Sequence, residues 1–113
     1  MDANIREKIK ALIRKQDTCV LATAAENQPY CSLMTYATND SCNEIYLMTL
    51  NKGRKYQNLC ENPAVSLLID TRQGSSNFDP AEAMALTISG RFERVSRDPE
   101  REHIRNILSL KHP

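Results

Sequence analysis

The chain has 113 residues, enough for one domain built on one core and too few for two. Hydrophobic residues make up 41% and charged residues 26%, a composition that excludes a disordered or fibrous chain. The net charge of +1 supplies no global field toward nucleic acid or a membrane surface, so any anion site must be local. No apolar run approaches the roughly 20 residues that span a bilayer, and the N-terminus lacks a signal peptide's unbroken apolar stretch. The expected location is the cytoplasm.

Residues 2–16 read as a first helix. Asp2 is available as N-cap, and Ile5, Ile9, Leu12 and Ile13 fall at i, i+4, i+7 and i+8, an apolar stripe suited to lie on a sheet. The cations Arg6, Lys8, Lys10, Arg14 and Lys15 occupy the other faces and read as a solvated surface. Thr18 to Ala25 is β-branched or small and uncharged, the pattern of a buried strand. After turn residues 26–29, Tyr30 to Thr38 reads as a second strand. Asn39 to Asn43 is a hairpin turn leading to a third strand, Glu44 to Leu50, and the three together suggest an antiparallel meander.

A short cationic turn and a short helix precede Asn62-Pro63, and Ala64 to Asp70 forms a fourth strand. Residues 71–80 are polar or turn-forming apart from Phe78, which could anchor a surface loop. Residues 83–96 read as a long fifth strand whose Gly90 suggests a bulge or bend. Asp98-Pro99 has the cap-then-proline signature of a last helix running to Lys111, and His103 and His112, isolated on or beyond it, read as solvated. The fold expectation is one domain, 1–113, mainly β: a small antiparallel barrel over 18–96, flanked by helices at 1–16 and 98–111.

Cys19, Cys31, Cys42 and Cys60 form no Cys-x-x-Cys pair and have no histidine at ligand spacing, so reduced thiols are expected and no metal site is assigned. Cys19 and Cys31 are expected to pack as small hydrophobes in their strands. There is no glycine-flanked serine and no multi-glycine phosphate loop, and the acids are scattered. Thr49 remains, at a strand end, followed by Lys52-Gly53-Arg54-Lys55 at a helix start. A strand-end hydroxyl, free N–H groups and basic side chains in one place suit a phosphate. On spacing alone, the same cations fit a solvated turn equally well.

Tyr46-Leu47-Met48-Thr49, then Gly53-Arg54-Lys55, Asn58-Leu59 and Glu61 to Leu68, resembles the central motif of the pyridoxamine 5'-phosphate oxidase-like, FMN-binding split-barrel family. Leu21-Ala22-Thr23, Pro29-Tyr30 and Ile88 to Phe92 resemble it in the same order, over about residues 5–112. The resemblance implies a six-stranded-type antiparallel split barrel, although the family's final strand after the last helix has no counterpart in this sequence. It implies FMN held at the interface of a homodimer. Thr49, Arg54 and Lys55 take the places that hold the phosphate, Ser32, Leu33, Met34 and Thr35 lie against the ring, and Met48 flanks the phosphate end. Lys52, Asn51 and Asn58 are further candidates, Asn58 equally as a tie between the helix and the following strand.

Ala37 stands where the oxidase proper has a basic residue, and its C-terminal arginine and histidine have no counterpart, so vitamin B6 oxidase activity is not expected. The expected function is an FMN-dependent oxidoreductase acting on an unidentified small molecule, with no protein acid or base assigned. The alternatives are a non-enzymatic flavin-binding or redox-sensing protein and a deazaflavin- or haem-binding relative. A nucleic-acid binder built on the first helix fits poorly with the near-neutral charge and the absence of tryptophan.

Overall fold

The computed structural model describes residues 2–49, 52–72 and 83–113. Along the chain run α1 (Ala3–Lys15), β1 (Thr18–Ala25), β2 (Gln28–Thr35), β3 (Ala37–Thr38), β4 (Ile45–Tyr46), α2 (Arg54–Glu61), β5 (Ala64–Asp70), β6 (Ala85–Arg91) and α3 (Asp98–Lys111). The strands form an antiparallel four-stranded sheet in the order β2-β1-β5-β6 and a separate β3-β4 pair, an open arrangement in which the sheet does not close. No helix among the described residues is long and apolar enough to cross a membrane.

Helix α1 begins where the sequence places it, the Asp2 carboxylate accepting from the Asn4 N–H at 2.9 Å. Leu12 and Ile13 are buried and Ile9 packs beside them, but Ile5 stays half exposed, so the stripe docks only by its C-terminal half. These side chains meet Cys19, Leu21, Met34, Tyr36, Leu67 and Ile69 in one cluster, each fully buried aliphatic side chain contributing about 1.5–3 kcal/mol. Burial pushes the Cys19 thiol up to about 11, with nearby Lys111 acting in the opposite sense.

The β1–β2 hairpin turns through Glu26 and Asn27 at φ 53° and 62°, the two left-handed residues that a type I′ turn needs. Gln28 and Pro29, expected in the turn, belong to the strand. The second strand does not run unbroken to Thr38; it stops at Tyr36, whose polar groups are all engaged outside the main sheet. Its N–H donates to the Asp17 carbonyl at 3.2 Å, its hydroxyl to the Ile13 carbonyl, and its own carbonyl accepts from His112 Nε2 at 2.7 Å. The Lys111 ammonium sits 4.2 Å from the Tyr36 ring centre and donates to the Gln16 carbonyl. His112 is therefore a structural clasp and not a solvated residue, whereas His103 is exposed as expected.

This break divides the expected meander between two sheets, β2 pairing with β1 while β3 pairs with β4. The third strand is shorter than expected, Ile45–Tyr46, and Leu50 lies outside the described residues. Its hairpin is held by Asn39, whose Oδ1 accepts from the Asn43 and Glu44 N–H groups at 3.1 Å each. The fifth strand is likewise trimmed to Ala85–Arg91. Gly90 marks no bulge: it faces Val65 in an unbroken register, and a Cβ there would stand 4.0 Å from Val65 Cγ2. The expected Phe78 anchor falls outside the described residues.

Directly opposed residues share a face, so Val20 stands in one row with Leu33 and Leu68, and Ala22 in the next with Cys31 and Ser66, all on the side away from the core. Leu33 is 65% and Leu68 36% exposed there, and Cys31 is exposed, contrary to the expectation that it packs as a core residue.

At the end of β5 the Asp70 carboxylate accepts from the Arg72 backbone N–H at 2.8 Å and from its guanidinium. These bonds hold the carboxyl down to about 2. A folded-state value below the unfolded one means stability present at neutral pH and lost as pH falls from about 4 toward about 2. Urea midpoints across that range should fall more steeply for the native chain than for Asp70→Asn. Equal slopes would remove the pair from the acid response.

Candidate functional site

One end of α2, the edge of β2 and the segment after β4 converge on a groove of about 470 Å³ lined by Leu33, Met34, Thr35, Met48, Thr49, Gly53 and Lys55. Strand β2 has β1 on one side and no strand on the other, so part of its backbone is available to a ligand at this rim. Leu33 and Met48 are 65% and 58% exposed and give the groove an apolar lip.

Lys55 enters this groove because of its place on α2. With Asn58 and Leu59 it occupies i, i+3 and i+4, the helix face turned toward the protein, and both of those neighbours are buried. Its half-buried ammonium donates to the Met34 thioether at 3.0 Å. A thioether is a weak acceptor, so this cation is poorly satisfied. Gly53 is the N-cap of α2 and supplies no side-chain cap, which leaves first-turn N–H groups uncapped beside Lys55.

Arg54, one residue earlier, is exposed and lies outside the groove lining, its guanidinium 6.0 Å from the Tyr30 ring centre. Lys52 is exposed and also absent from the lining. Ser32 turns to the core side opposite Leu21, with its buried hydroxyl lacking a hydrogen-bond partner. Of the nine cofactor residues expected from sequence, Leu33, Met34, Thr35, Met48, Thr49 and Lys55 come together, and Ser32, Lys52 and Arg54 stand apart. Asn51 lies outside the described residues. Asn58 is buried and donates to Thr23 Oγ1 at 3.2 Å, so it ties α2 to β1 and not to the following strand. Gly53 is the lining residue absent from the expected set; the glycine directly before Arg54-Lys55 was its signal.

The family model for pyridoxamine 5'-phosphate oxidase matches residues 5–109, nearly the whole chain. The chain belongs to this family. No curated protein matches the sequence significantly. Among solved structures, a conserved hypothetical protein from Mycobacterium tuberculosis is 25% identical with a TM-score of 0.79, over 99% of this chain and 64% of the other. An FAD-binding protein from Mesorhizobium loti is 23% identical with a TM-score of 0.73, over 97% of this chain and 75% of the other. A heme binding protein from Mycobacterium smegmatis is 24% identical with a TM-score of 0.71, over 95% of this chain and 42% of the other. The chain thus spans less than two thirds of the first and third of these. Solved structures that share this fold include one described as FAD-binding and one described as heme binding.

Proposed function

We propose that this chain is a flavoprotein that binds FMN and works as a homodimeric oxidoreductase on a small molecule. The observation that carries the reading is the Lys55 ammonium, held inside a groove by a thioether alone among the described residues, next to the start of α2, where Gly53 supplies no side-chain cap. A phosphate is the partner that both features lack. Thr49 and Lys55 would hold the phosphate, and the β2 edge at Leu33 to Thr35 would lie along the ring and exclude water from one side. The bound flavin would supply hydride or electron transfer, while the chain supplies anchoring and orientation.

The outer sheet face around Val20, Leu33 and Leu68 supports the homodimer, because exposed apolar rows on a sheet are the surfaces that a second copy covers. Leu33 belongs to both that face and the groove, so a partner seated there would form the groove's second wall. The haem reading has less support, since among the described residues the groove lining holds no histidine, cysteine or tyrosine to serve as an axial ligand and one of its two methionines already meets Lys55.

Titration of the purified protein with FMN and with haemin, followed by visible absorption, tests the assignment. FMN should bind and its spectrum should shift on binding. Failure to bind FMN, or haemin binding in its place, would overturn the reading. Turnover of a reductant with a panel of acceptors then separates an oxidoreductase from a flavin store or sensor, and the cytoplasmic location follows from the same proposal.

A further inference from the structure

A second pocket, of about 240 Å³, shares Met48 and Thr49 with the groove, takes Leu47 and Tyr56 from the same segment and from α2, and adds the chain after β6 and α3. Its apolar floor comes from Phe92 and Val95 after β6 and from Ile104 and Leu108 of α3. Arg94, Arg101 and Arg105 also line it, against a single carboxylate among the described residues, Glu93. Arg101, Ile104, Arg105 and Leu108 are spaced i, i+3, i+4 and i+7, so one face of α3 presents the cations and the floor together.

Among the described residues none of these three guanidiniums makes a direct ion pair, although Asp98 and Glu102 precede Arg101 and Arg105 by three positions on α3. Among the described residues the one ion pair is that of Arg72 with Asp70. Arg94 meets the Tyr56 ring, at 6.0 Å from its centre. Arg101 and Arg105 are like charges one helical turn apart, a spacing that disfavours the helix unless an anion lies between them. A solvated helix surface accounts for exposed arginines, but it does not account for three of them gathered at the mouth of an apolar pocket.

We infer that this pocket binds a small organic acid, its oxyanion among Arg94, Arg101 and Arg105 and its apolar body against Phe92, Val95, Ile104 and Leu108. The planar guanidinium fork suits a carboxylate, which can accept two parallel hydrogen bonds from one arginine. The volume lies just under the roughly 300–1,000 Å³ of sites for drug-sized ligands, so the body is a single ring or a short chain. The pocket borders the cofactor groove at Met48 and Thr49, but the inference rests on different cations, because Lys55 is not part of this pocket.

Benzoate, its neutral analogue benzamide and inorganic phosphate are the probes, each titrated into the full chain with and without FMN and followed by backbone amide NMR shifts. Benzoate should move amides of residues 92–95 and 101–108, with benzamide and phosphate each binding at least about tenfold more weakly. Arg101→Gln and Arg105→Gln keep a good helix former and should each weaken benzoate about tenfold while leaving FMN affinity unchanged. Lys55→Ala should leave benzoate binding unchanged. Equal binding of benzamide would remove the role of the arginines, and equal binding of phosphate would remove that of the floor. Benzoate binding lost in Lys55→Ala but kept in both arginine variants, or absent at about 10 mM, would overturn the proposal. Failure of FMN to bind leaves the benzoate titration fully readable, so the two readings fail separately.

Discussion

Replacing Lys55 with alanine should weaken FMN binding about 10- to 100-fold and riboflavin binding less than about threefold. The two ligands differ by the phosphate alone, and Lys55 is the one side-chain cation in the groove lining among the described residues. Losing a hydrogen bond to a charged group costs about 1.5–3 kcal/mol, which is the source of the first figure. Arg54→Ala should behave differently, changing FMN affinity less than about fivefold, because that side chain is exposed and directed toward Tyr30. Fluorescence titration with both ligands measures each value. Equal loss of FMN and riboflavin in Lys55→Ala would mean that Lys55 holds the groove's shape and not a phosphate.

Tyr36→Ala should cost about 3–5 kcal/mol and Tyr36→Phe about 1–3 kcal/mol, read from urea denaturation. Tyr36 has no exposed surface and joins α1, the residue before β1, and the residue after α3. Phenylalanine preserves the packing but strips the Ile13 carbonyl of its donor. The alanine variant also opens a cavity, and against a typical total of about 5–15 kcal/mol it should stand at the edge of unfolding. Burial and the neighbouring Cys19 and Asp17 raise the Tyr36 phenol pKa, so the hydroxyl keeps its proton at neutral pH. A Tyr36→Phe protein as stable as the native chain would show that the bond to Ile13 contributes nothing.

Features set by neighbours in sequence were legible before the structure. Strand β5 spans the expected Ala64–Asp70, β1 the expected Thr18–Ala25, and Asp2 caps α1, because alternation, β-branching and cap chemistry are local. The break at Tyr36 was not legible. Tyrosine favours strands, and the groups that pull it out of the ladder, Asp17, Ile13 and His112, reach it through tertiary contacts. The candidate site shows the same division. The motif picked out Thr49 and Lys55, but adjacent helical residues point about 100° apart, so Arg54 leaves the groove that Lys55 enters. Asn58 gave no sign in sequence that its amide would reach back to Thr23. The second pocket was less visible still, because Arg94 and the two α3 arginines meet only after the chain turns between β6 and α3.

The register of the main sheet has a kinetic consequence. The β1–β2 and β5–β6 ladders are local hairpins, whereas β1 meets β5 only through Val20 with Leu68, Leu21 with Leu67 and Ala22 with Ser66. Closing that contact joins residues 44 to 48 positions apart, so its loop-closure entropy exceeds that of either hairpin. Sequence separation therefore favours pairing within each hairpin before the β1–β5 seam closes, and a substitution at Leu21 or Leu67 should slow folding more than one in either hairpin turn.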